Sequence, residues 1–109
     1  MTDFMQVITT VAQEEDAQHI AQALVAAQLA GCVQIIGPIT STYRWQGDIE
    51  TAQEWLCLIK TSRALYAQVE TTIHAQHPYE TPEILAVPVI AGSTDYLAWL
   101  GAQLQPPET

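Results

Sequence analysis

An α+β domain with an antiparallel sheet and helices on one of its faces is predicted by three observations. Strand-type and helix-type patterns alternate in the order β, α, β, β, α, β, with a terminal α. Two long β-branched runs meet at a Gln46-Gly47-Asp48 turn. The chain has 109 residues, enough for one hydrophobic core and little more. This order is that of the split βαβ, or ferredoxin-like, arrangement. Residues 1–109 are therefore read as a single domain, with a loose tail from about Gln105.

Each element has its own signal. Phe4 to Thr10 is β-branched and aromatic, a first strand. From Glu14, the apolar residues Ala17, Ile20, Ala21, Leu24 and Val25 recur at helical steps. Glu14, Glu15 and Asp16 suit the positive N-terminal end of that helix, and Gly31 closes it. Cys32 to Trp45 and Ile49 to Thr61 form a long hairpin, which Gly37-Pro38 interrupts as a bulge or bend because proline cannot donate to a ladder and glycine tolerates the kink. Ser62 caps a second helix with Leu65, Tyr66, Val69 and Ile73 on its apolar face, and Pro78 stops it after His77. Glu83 to Ile90 is a strand that Pro88 assigns to an edge or bulge, and Ser93 caps a last helix carrying Tyr96, Leu97 and Leu100.

With the turn at Gln46 to Asp48, Trp45 faces Ile49 and Arg44 faces Glu50 as a cross-strand ion pair. Each arm then runs roughly 40 Å at about 3.3 Å per residue, whereas a globule of this size is about 34 Å across. The tip must overhang. Its flanks carry Ile39, Tyr43, Trp45, Ile49 and Trp55, too large an apolar set to leave in water, so a homo-oligomer is expected with these residues in its interface. The same register sets Cys32 opposite Ser62, roughly 16 Å along the ladder from Cys57, beyond the ~7 Å reach of a disulfide.

Apolar residues make up 49% of the chain and the formal net charge is −9, so it has material for a core and an acidic surface. Arg44, Lys60 and Arg63 cannot make the basic stripe that nucleic acid or an anionic membrane would require. No apolar run is long enough to span a bilayer, and Met1 to Gln6 lacks the features of a secretion signal, so the expected location is the cytoplasm.

Ala30-Gly31-Cys32-Val33, Ser41-Thr42-Tyr43-Arg44-Trp45-Gln46-Gly47, Leu58-Ile59-Lys60-Thr61, His77-Pro78-Tyr79-Glu80-Thr81-Pro82-Glu83 and Asp95-Tyr96-Leu97-Ala98-Trp99 follow one another through nearly the whole chain. In these stretches the sequence resembles the CutA divalent-cation tolerance family. The resemblance implies a ferredoxin-like homotrimer similar in form to PII signalling proteins. It also implies binding of copper and other divalent cations, and a link to metal tolerance. Family members with assigned copper ligands use a cysteine and a His-His pair that align here with Thr9, Gln76 and His77. Two of the three are replaced by a hydroxyl and an amide, which match neither thiolate nor imidazole for copper or zinc.

The candidate metal set is His77 with Glu80 and Glu83, one imidazole and two carboxylates in a loop after a helix, suited to copper or zinc as a loosely held divalent cation. No obligatory cofactor is implied. Beside this stands a plainer assignment, in which His77 satisfies the helix C-terminus and Glu83 pairs with Lys60 or Arg63. His74 and His77 lack a third ligand and read as a solvated helix surface. Lys60, Tyr79, Trp99 and Cys32 are candidate walls of a ligand cleft between subunits, and each alone reads as core or interface. No Gly-rich phosphate loop, His-Glu-x-x-His or Gly-x-Ser-x-Gly is present, so a non-enzymatic role is expected. Two functions follow: a trimeric divalent-cation binder, or a PII-like signalling or adaptor trimer whose ligand is a small anion or a partner protein.

Overall fold

The computed structural model describes residues 2–107. It contains β1 (Phe4–Val11), α1 (Glu14–Ala26), β2 (Cys32–Trp45), β3 (Asp48–Ser62), α2 (Tyr66–Gln76), β4 (Ile84–Pro88) and α3 (Thr94–Ala102). The four strands form one antiparallel sheet in the order β2-β3-β1-β4, the ferredoxin-like order that the element sequence predicts. Pro88 falls on β4, an edge strand, where its missing N–H costs no ladder bond.

Alternation along the strands decides which face is covered. Val7, Thr9 and Val11 of β1 and Cys57, Ile59 and Thr61 of β3 are buried under α1 and α2. Those helices contribute Ala17, Ile20 and Leu24, and Val69 and Ile73. The other face carries Ile8, Leu58 and Leu85 in one row and Ile36 and Leu56 in the next. Ile36, Leu85 and Val87 are exposed there, so α1 and α2 leave this apolar surface open.

Thr9 is the one polar anomaly of the core among the described residues. Its side chain is fully buried opposite Cys57 and its hydroxyl finds no partner. A buried hydroxyl without a hydrogen bond is a desolvation cost. Thr9→Val keeps the shape and removes the cost, so the unfolding free energy from urea denaturation should rise by about 1 kcal/mol; a fall in stability would mean that the hydroxyl is satisfied.

Four local expectations need correction. The hairpin turn is the two-residue Gln46-Gly47, both at positive φ, so Trp45 pairs with Asp48, Arg44 with Ile49 and Tyr43 with Glu50. Arg44 is thus denied its expected cross-strand partner, and its guanidinium donates to the Gly47 carbonyl instead. Cys32 faces Lys60, not Ser62, because the Gly37-Pro38 bulge shifts the register once more between Ile36 and Ile39. Both cysteines are free thiols. Gly31 does not close α1: Gln28 turns the chain in the left-handed region at φ 58°, and Leu24 O accepts from Leu29 N at 2.9 Å. Ser62 ends β3 without capping, and a 3₁₀ turn over Arg63–Leu65 leads into α2. Ser93 does cap α3, its Oγ accepting from Tyr96 N at 3.3 Å.

The bulge serves the packing of Trp55. A Cβ placed on Gly37 would lie 2.4 Å from the Trp55 ring, so only glycine lets β2 pass over that indole. Trp55 is accordingly half-buried against its own core, whereas Tyr43, Trp45 and Ile49 stand exposed on the projecting hairpin. The molecule measures 44 × 26 × 23 Å, its long axis exceeding the span expected of a compact globule. At the C-terminus, Gln105 N donates to Gln28 O at 2.9 Å, which ties down the start of the expected loose tail; residues 108–109 lie outside the described residues.

Candidate functional site

The site begins where α2 ends. Pro78 disfavours helical backbone at His77, whose ψ of 133° turns the chain sharply after its N–H closes the last helical bond to Ile73 O at 2.8 Å. The turn drives the imidazole inward to the end of β1. There Nε2 lies 2.8 Å from the Thr10 carbonyl, and Nδ1 accepts from Tyr79 N at 3.1 Å. A carbonyl can only accept, so Nε2 carries the proton and Nδ1 the lone pair. Both nitrogens are used, and the ring is 8% exposed.

Tyr79 continues the chain of contacts. Its ring lies 4.8 Å from the His77 ring, and its hydroxyl donates to Glu54 Oε2 at 2.9 Å, where Glu54 is itself buried on β3. The 77–83 loop is thereby pinned to two strands. Burial pushes the Tyr79 hydroxyl up to about 12, reinforced by its bond to Glu54 and by the Glu54 charge. The folded chain then holds this proton where the unfolded chain, at about 10, has lost it, so Tyr79 contributes stability below pH 10 that disappears as pH rises to about 12. Tyrosinate absorbance should show a late step near pH 12 that Tyr79→Phe abolishes; persistence of that step in the variant would assign it to another tyrosine.

Between this loop and the hairpin lies a hollow of about 830 Å³, lined by Thr10, Ser41, Thr42, Tyr43, Trp45, Glu50, Glu54, Tyr79, Glu80, Thr81 and Glu83. Four glutamates and, among the described residues, no basic residue line it. Glu80 and Glu83 therefore do come to a common site, and Glu50 and Glu54 join them. Neither β3 glutamate is expected here from the sequence, which assigns Glu50 only to Arg44 as a cross-strand partner, although Glu54 interrupts the Leu56, Leu58 alternation of that face and could have been noticed there.

His77 stands behind Thr10 and Tyr79 and does not itself line the hollow. With both nitrogens committed, the expected His77, Glu80 and Glu83 ligand set is not assembled. Among the described residues, no group of three or more His, Cys, Asp or Glu is placed to hold an ion within one chain. Thr9, aligned with a ligand position, points into the core beneath this spot, and Gln76 is exposed at the end of α2. Glu83 pairs with no lysine: Lys60 Nζ donates to Gln34 Oε1 at 3.0 Å. The expected ligand cleft is divided as well. Cys32 and Lys60 face each other at one end of the sheet, while Tyr79 bonds Glu54, six residues from Lys60 on β3 and so about 20 Å away. Trp99 is exposed on α3 beside Tyr96, ring centres 5.7 Å apart. The buried Cys57 thiol is pushed up to about 11 by desolvation, which keeps it protonated and unreactive at neutral pH.

Fold and site together define a ferredoxin-like α+β domain with a projecting hairpin and a carboxylate-lined crevice beneath it. The chain belongs to the CutA1 divalent ion tolerance protein family, whose model matches residues 5–103. The divalent-cation tolerance protein CutA of Thermus thermophilus is 46% identical over 94 residues, covering 86% of this chain and 91% of the relative. That of Pectobacterium atrosepticum is 36% identical over 105 residues, 96% of each chain. Among solved structures, CutA from Xylella fastidiosa superposes with a TM-score of 0.93 at 38% identity, covering 95% of this chain and all of the other. A protein from Archaeoglobus fulgidus described as a periplasmic divalent cation tolerance protein gives 0.91 at 34% identity over 94% of this chain and 99% of its own. No helix among the described residues is long and apolar enough to cross a membrane.

Proposed function

We propose that the chain works as a homotrimer that binds divalent cations without catalysing a reaction, its cation crevice completed between neighbouring subunits. The observation that carries the reading is that Glu50, Glu54, Glu80 and Glu83 all line one hollow, with no basic residue among its described lining. Family membership supports the link to divalent-ion tolerance. The described residues of one chain do not gather a full ligand set, so on this reading donors from a neighbour or water complete it. Carboxylate oxygens hold copper and zinc less tightly than thiolate and imidazole, and at a given site copper outranks zinc. The binding is accordingly loose and exchangeable, with Cu²⁺ ahead of Zn²⁺.

Titration calorimetry with each ion tests this. Glu80→Gln combined with Glu83→Gln should weaken binding at least about tenfold, and unchanged affinity would remove the crevice from consideration. We place the trimer in the cytoplasm, where free thiols at Cys32 and Cys57 are at home. A second reading, a PII-like signalling or adaptor trimer that takes a small anion or a partner protein, is favoured by one feature: Lys60 lines a hollow with no acidic residue among its described lining.

A further inference from the structure

We propose that the crevice between the 77–83 loop and the hairpin takes a linear organic polyamine, with one ammonium at Glu54 and the hydrocarbon chain along aromatic rings. This rests on the reading of the crevice as a cation site and names the class of cation. Glu54 is the anchor. It is 8% exposed, its Oε2 accepts from the Tyr79 hydroxyl at 2.9 Å, and its other oxygen has no partner among the described residues. A carboxylate so far withdrawn from water is costly unless a cation meets it. The described lining of the hollow offers neither arginine nor lysine for that purpose, and an ammonium from a ligand supplies what is missing.

Three features favour an extended organic cation. The hollow of about 830 Å³ has the size of a small-molecule site, against about 30 Å³ for one water. Its carboxylates are spread rather than gathered. Glu50 and Glu54 share a strand face about 13 Å apart, and Glu80 and Glu83 stand on the loop across from them. Among the described residues, no three acidic, His or Cys side chains are placed to hold one ion, whereas charges strung along a flexible chain match that spacing. The lining also carries Tyr43, Trp45 and Tyr79, whose ring faces attract ammonium groups. Tyr43 and Trp45 stand on the hairpin that the trimer reading carries to a neighbour, so the polyamine lies at a subunit boundary with its Glu54 end inside one chain. The net charge of −9 raises the local concentration of a polycation.

The test is titration calorimetry of the full chain, as it assembles, with spermidine, hexaamminecobalt(III) and copper at matched ionic strength. Spermidine should bind at least about tenfold more tightly than hexaamminecobalt(III), a compact cation of the same charge. Glu54→Gln, whose amide oxygen still accepts from Tyr79, should weaken spermidine at least about tenfold. Trp45→Leu should weaken it at least about threefold and Trp45→Phe should restore most of that loss, both with copper affinity unchanged. Should Trp45→Leu alter the mass of the assembly, Glu54→Gln and the comparison of the two cations on the unaltered protein decide alone. Spermidine binding no tighter than hexaamminecobalt(III), or losing nothing in Glu54→Gln, would overturn the proposal, and copper binding that depends on Glu80 and Glu83 would stand regardless. Spermidine bound where copper is not would support the proposal and remove only the metal from the crevice.

Discussion

His77→Ala should destabilise the fold by about 2–4 kcal/mol while leaving divalent-cation affinity within about twofold of the unaltered protein. The stability loss follows from what the imidazole holds. Removing it orphans the Thr10 carbonyl at the end of β1 and the Tyr79 N–H, and it strips the Tyr79 ring of its packing neighbour. Each buried polar group left unpaired costs about 1–3 kcal/mol. His77→Gln keeps an amide donor for Thr10 and an amide oxygen for Tyr79, so it should recover at least half of the loss. Urea denaturation of the three proteins beside copper titration of each separates the two roles of His77. A cation affinity that collapses in His77→Ala at unchanged stability would make the imidazole a ligand.

This residue shows where sequence reasoning succeeds and where it stops. The alternation of strand and helix, the edge position of Pro88 and the Ser93 cap follow from local chemistry, and local chemistry is legible in one dimension. Gln46 was not: a two-residue turn that places a non-glycine residue at φ 51° is a choice made by the twist of the flanking strands. Placing the turn one residue too long moved every cross-strand partner, and the bulge at Gly37-Pro38 then moved Cys32 again. His77 was visible as a singular imidazole beside Pro78, but its partners are a carbonyl 67 positions away and an amide two positions on. No side-chain pattern marks a backbone carbonyl as a partner. The alternation of elements already pointed to the α+β sheet that the structure shows, whereas the altered residues at Thr9 and Gln76 meant that the chemistry had to be read from this chain's own packing.

On the trimer reading, Leu58→Asp should convert the assembly to a monomer that keeps its fold, the largest effect of any single exchange considered. Leu58 sits in the middle of the open face, between Gln34 and Ile8, with Leu85 next beyond. Ile36, Leu85 and Val87 add exposed apolar area to that face, and Tyr43 and Trp45 extend it along the projecting hairpin, where they stand exposed. A contiguous patch of this kind is what a monomer avoids and an obligate interface requires. A carboxylate at Leu58 stays hydrated when the face is open, so the isolated chain tolerates it. In a closed trimer the same carboxylate is buried once per subunit without a cation, a penalty of several kcal/mol each. Association therefore fails before folding does. Sedimentation equilibrium should report three chains for the unaltered protein and one for Leu58→Asp, with matching far-ultraviolet circular dichroism. Glu14→Gln, on an exposed surface turn of α1 remote from that face, should leave the mass at three. A single-chain mass for the unaltered protein at micromolar concentration would end the trimer reading, and with it the idea that a neighbour completes the crevice.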